Sequence, residues 1–166
     1  MQQKRQQVID QVRRVLDGWQ DIETVSLLDF GEDIYDPYFF LSLDVFYKES
    51  LPEPEERAAA FSFAEHFESN LGRGKDRILI DEIPIRLEYK RAADVTETVN
   101  TALNNPGDLS EPGTYLFHRL YESKTLIERS DWLAKLRSAL EDDLPEEFWQ
   151  FQRSGLQLKM EHYLSD

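Results

Sequence analysis

The chain has 166 residues, 40% hydrophobic and 31% charged, with a formal net charge of −14 and no cysteine. This is the length and composition of one globular domain rather than a disordered segment, and it excludes disulfides, thiolate nucleophiles and cysteine-based zinc sites. An evenly acidic surface argues against sequence-independent nucleic-acid binding; with no apolar run near the roughly 20 residues of a membrane helix and none behind Met1–Gln7 to serve as a signal peptide, a cytoplasmic protein without a membrane partner is expected.

Val8, Val12, Val15, Leu16 and Trp19 recur at helical spacing and Gly18 lies near the end of that helix. Ile22 to Phe30 reads as a strand stopping at Gly31. Asp33, Asp36 and Pro37 mark a turn. Tyr38 to Tyr47 is a strand with Phe40, Ser42, Asp44 and Phe46 on one face and Leu41, Leu43, Val45 and Tyr47 on the other, apolar enough on both to be central. Leu51 to Glu56 opens a helix expected to run to Leu71 through Ala60, Phe63, Ala64 and Phe67, closed by Gly72-Arg73-Gly74-Lys75. Ile78 to Ile80 and Pro84 to Lys90 form two strands about a turn at Asp81-Glu82, and Ala92 to Leu103 a helix. Residues 104–113 read as a linker. From Thr114 onward Leu116, Leu120, Leu126, Ile127, Trp132, Leu133, Leu136 and Leu140 predict helices, and Pro145 starts another carrying Phe148, Trp149, Phe151 and Leu156.

This order predicts an α+β fold, a small mixed sheet with packed helices followed by a C-terminal helical appendage. The expected division is a core over 1–105 and a helical segment over 106–166 packed on it as a single compact unit.

Asp44 carries the chemical interest. A carboxylate in a strand that is apolar on both faces is costly to bury unless it is paired, hydrogen-bonded or bound to a metal. Glu88 is its candidate partner, as a second carboxylate or through the positive charge of Arg86 and Lys90 beside it. Arg86 and Lys90 would neutralise a phosphate or form cross-strand ion pairs. Gly72-Arg73-Gly74-Lys75 lacks the spacing and the Ser or Thr of a Walker loop; it reads as a helix stop, with Arg73 and Lys75 as possible acceptor contacts. His66, His118 and His162 fall on predicted helices and read as surface or interfacial residues rather than a metal cluster. Phe148, Trp149 and Phe151 read as packing of the last helices, or else as an acceptor or partner groove.

These residues resemble the nucleotidyltransferase-fold superfamily, the polymerase-β-like group. The resemblance rests on a strand ending at Gly31-Glu32, nine residues of spacing, Ser42-Leu43-Asp44-Val45 in place of the paired-carboxylate strand, and Pro84 to Tyr89 in place of the third-carboxylate strand. It extends to the helical segments Tyr115–Glu122 and Leu126–Leu133. It implies transfer of a nucleoside monophosphate from a nucleoside triphosphate to an acceptor, with Mg²⁺ held by Asp44 and Glu88 as the metal ligands and catalytic pair. Gly31, Glu32, Ser42, Arg86 and Lys90 would then contact the nucleotide. Two departures stand out: Ser42 replaces a carboxylate, and Glu32 replaces a small residue under the phosphates. Glu32, Asp33 or Asp36, swinging in from the loop, would supply the missing acid. The alternative implied is a non-catalytic nucleotide-binding or protein-interaction module of the same fold, comparable to an antitoxin with a protein partner.

Overall fold

The computed structural model describes residues 2–28, 39–70, 74–109 and 113–154. The chain divides into two compact units. One comprises Met1–Ala92 with Ser123–Asp131, the other Ala93–Glu122 with Trp132–Asp166. The boundary thus lies at Ala92 rather than at the expected 105, and the C-terminal stretch returns nine residues, 123–131, to the first unit.

The first unit is built on a six-stranded mixed sheet. Its strands are β1 (Ile22–Leu28), β2 (Leu41–Tyr47), β3 (His66–Asn70), β4 (Lys75–Ile80), β5 (Ile83–Arg91) and β6 (Lys124–Glu128), arranged in the order β3-β4-β5-β2-β1-β6. β2 runs parallel to β5; the other neighbours are antiparallel. β2 is buried from Leu41 to Phe46, as expected of a central strand.

Helix α1 (Gln2–Asp17) contributes Val8, Ile9, Val12 and Leu16 to the core. These pack with Val25, Leu41, Leu43, Val45, Ile85 and Leu87. Because side chains alternate along each strand, this apolar set leaves the opposite face to Ser42, Asp44, Arg86, Glu88 and Lys90.

The helix expected to reach Leu71 is much shorter. α2 spans Pro54–Ala60, and 66–70 is the strand β3. Glu53 starts α2 by donating its N–H to Glu56 Oε2. Phe61 then turns into the core, edge-on to Trp19 at 6.3 Å and stacked on Phe67 at 6.0 Å. Phe61, Ala64 and Phe67 have helical spacing, but a strand pairing with β4 packs the half-buried Phe67 against the core and hydrogen-bonds the backbone of 66–70 as well. His66 therefore lies on a strand, and no helix runs up to residue 70 for Gly72-Arg73-Gly74-Lys75 to stop. Gly74 has φ +56° and Lys75 opens β4, while 71–73 lie outside the described residues.

β6 also differs from the helix expected there. Leu126 and Ile127 were expected on a helix; they sit on a strand that pairs antiparallel with β1, Ile127 facing Val25.

The second unit is helical among its described residues. It holds α3 (Ala92–Asn104, beginning at the boundary), a 3-10 turn at Pro106–Asp108, α4 (Gly113–Glu122), α5 (Trp132–Asp142) and α6 (residues 146–154). His118 is on α4, as expected; His162 lies outside the described residues. Phe148 is fully buried against Phe117 at 5.4 Å, which matches the packing reading, while Trp149 and Phe151 stay half-exposed. No helix among the described residues is long and apolar enough to cross a membrane.

Candidate functional site

The strand registers lay two adjoining rows, polar except for Leu28, across the face opposite α1. One row runs Asn70, Lys75, Glu88, Asp44, Ser26 from β3 to β1, and the next runs Glu68, Arg77, Arg86, Ser42, Leu28. Asp44 and Glu88 are direct partners on the parallel β2–β5 pair, so their side chains project from one face at adjacent positions. Asp44 is 1% exposed and Glu88 9%.

The pair is closed by cations. Lys90, two residues along β5 from Glu88, donates its Nζ to Asp44 Oδ1 and also lies 3.4 Å from Glu88 Oε2. Lys75 on β4 approaches from the other side, 3.1 Å from Glu88 Oε1. Two carboxylates and two ammoniums sum to zero, which is how a strand can tolerate this burial. The paired-ion reading of Lys90 thus matches the geometry.

Arg86 faces Ser42 across the strands and lays its guanidinium on the Phe40 ring, 4.3 Å from the centroid. Ser42 is fully buried. Thr24 Oγ1 and Ser26 Oγ, next along the sheet, are buried with no hydrogen-bond partner among the described residues. Gly31 and Glu32, with the loop acids Asp33 and Asp36, lie outside the described residues.

Magnesium requires charged oxygen ligands in an octahedral array. Among the described residues no group of three or more His, Asp or Glu side chains is placed to hold a metal ion. Asp44 and Glu88 supply two carboxylates, and the ammonium of Lys90 stands between them. These residues do not fit a two-metal site.

Two cavities open on the same face beside β3, β4 and β5. One, of about 200 Å³, is lined by Glu68, Asn70, Lys75, Arg77 and Arg86. The other, of about 470 Å³, shares Glu68, Arg77 and Arg86 but adds Phe39, Phe40, Leu79 and Pro84. Glu68 and Asn70 were not foreseen because 66–71 has the spacing of a helix, although His66, Glu68 and Asn70 alternate with Phe67 and Ser69; Arg77 was not foreseen because the strand was read from Ile78, whereas β4 begins at Lys75.

A second buried charge cluster on the core face also went unread. Arg57 on α2 donates Nε to Asp76 Oδ2 at 2.8 Å and a second N–H to Asp76 Oδ1 at 3.2 Å. It also reaches the Pro52 carbonyl and Ser69 Oγ, and Tyr89 donates its hydroxyl to Asp76 Oδ2 at 2.6 Å. Burial and the neighbouring Asp76 carboxylate push the Tyr89 hydroxyl far above its usual pKa of 10.0. This cluster ties α2 to the sheet. Glu23 is another buried acid: burial alone would raise its pKa, but hydrogen bonds from Lys48 and Ser130 hold it below the usual value.

No protein-family model matches the chain, and no curated protein does. A solved structure is similar: the crystal structure of a nucleotidyltransferase-like protein from Exiguobacterium sibiricum 255-15, at a TM-score of 0.53 and 13% identity, covering 84% of this chain and 39% of that one. The chain therefore spans well under half the length of that structure, and at this identity the likeness is one of fold. The fold is α+β and nucleotidyltransferase-like, with a six-stranded mixed sheet and, among the described residues, six helices.

Proposed function

We propose that this chain is a nucleotidyltransferase-like binding module that does not carry out Mg²⁺-dependent nucleotidyl transfer. The reading is carried by one observation: the Lys90 ammonium lies between Asp44 and Glu88, the two acids that the fold resemblance assigns to metal. A divalent ion entering there would have to displace a cation tethered to the same strand and already paired with both carboxylates. Ser42 weakens the site further, because a hydroxyl brings no full charge. What remains is a charged sheet face beside two cavities, suited to holding an anionic ligand such as a nucleoside phosphate without transferring it.

The test uses Mn²⁺ binding, read by electron paramagnetic resonance, together with incorporation of label from α-labelled triphosphates. The wild type should bind Mn²⁺ only weakly and incorporate no label. Lys90→Ala should raise Mn²⁺ affinity by about tenfold or more, the scale of removing one charge-assisted contact, and adding Ser42→Asp should raise it again. Tight Mn²⁺ binding by the wild type that Lys90→Ala leaves unchanged, or label transfer with Mg²⁺, would overturn the reading; the latter would point to Glu32, Asp33 or Asp36 completing a working site.

A further inference from the structure

We infer that the cavity between β3, β4 and β5 is a phosphomonoester-binding site, recognised by Lys75, Arg77 and Arg86. The inference deepens the proposed function by naming the ligand chemistry at that face. Three basic side chains line it; Lys75 is paired with Glu88, and the two arginines leave a local excess of positive charge in a chain whose net charge is −14. The registers explain the convergence: Lys75 and Arg77 alternate along one face of β4, and Arg77 lies opposite Arg86 on β5. Like charges directly opposed across antiparallel strands repel. The Arg77–Arg86 pair therefore costs stability in the free protein, and a dianion between the two guanidiniums would relieve it.

Glu68, the acid in the lining, does little to cancel the charge of the arginines. Glu68 meets Arg77 at 3.9 Å with both side chains more than half exposed, an ion pair worth little in water. Among the described residues the Arg86 guanidinium makes the Phe40 ring contact and no ion pair. Flat forked guanidiniums suit phosphate oxygens, Asn70 adds an amide donor, and a cavity of about 200 Å³ exceeds the ~30 Å³ of a water molecule several-fold. The adjoining 470 Å³ cavity, with Phe40, Leu79 and Pro84, has room for an organic group carried by that phosphate. In strand order this site lies on the β5 side of β2. It shares Arg86 with the nucleotide contacts that the fold resemblance implies, and adds Asn70, Lys75 and Arg77 to them.

Isothermal titration of the full chain with inorganic phosphate, ribose 5-phosphate and AMP tests this without any metal. At low ionic strength phosphomonoesters should bind. Arg77→Met, at an exposed side chain, and Arg86→Met, at a half-buried one, should each weaken binding by about tenfold, and Glu68→Gln should strengthen it. AMP tighter than ribose 5-phosphate would place the base in the larger cavity; equal affinity would mean that the phosphate alone is recognised. Failure of all three to bind at ~10 mM, or binding undiminished in both arginine variants with wild-type thermal melts, would overturn the site. Neither result depends on Mn²⁺ binding or label transfer, so the two readings fail separately.

Discussion

Asp76 and Asp44 show how differently two buried aspartates can be used. Asp76 is held by the fork of Arg57 and the Tyr89 hydroxyl on the core face, with Arg57 further anchored on the Pro52 carbonyl. Removing one member leaves an uncompensated buried charge, so Asp76→Ala should cost about 3–5 kcal/mol by urea denaturation. The same cluster sets an alkaline limit. Tyr89 has a folded-state pKa raised above its ordinary 10.0, so its contribution is complete below pH 10 and is lost as pH rises beyond it. Stability should fall above pH 10 in the wild type and fall less steeply in Tyr89→Phe. Asp44 instead is neutralised by a lysine that reaches two acids at once. Its row could be foreseen from alternation, because Asp44 and Lys90 sit at polar-face positions of strong strands. Which lysine pairs with which acid could not, since that depends on β2 and β5 being parallel neighbours in a particular register.

At the scale of elements, the β4–β5 connection is short and strained. Ile80 pairs with Ile83, leaving Asp81 and Glu82 as a two-residue turn with φ of 50° and 64°. Both lie in the left-handed region favoured by the right-handed twist of a hairpin but disfavoured by a Cβ. Glu82 pairs with Lys4 only at the surface, a contact worth little. Replacing Asp81-Glu82 by Asn-Gly should therefore stabilise the protein by about 1 kcal/mol, read as a higher urea midpoint with an unchanged slope. The turn itself was legible from two alternating runs around polar residues. β3 and β6 were not: each is five residues long, and their apolar positions fit a helical period as well as a strand.

At the scale of the whole molecule, the sheet is not contiguous in sequence. β6 comes after α4 yet lies at the sheet edge against β1, so the first unit is closed by residues 123–131. A chain ending at residue 105 would leave the β1 backbone edge unpaired. It should melt without cooperativity and associate on size-exclusion chromatography. Joining residues 123–131 to it through a flexible linker should restore a cooperative melt; a cooperative monomer without them would show that β6 is dispensable.

Composition, hydrophobic period and alternation were enough for an α+β protein with β2 at its centre, a polar row through Asp44 and an alternating β5, because these properties depend on residues near one another in the chain. The order of the strands, the capture of β6, the lysine between Asp44 and Glu88 and the basic cavity over β3–β5 were decided by tertiary structure alone. They depend on pairings between residues tens of positions apart, and a one-residue change of register would have sent the same side chains to the opposite face.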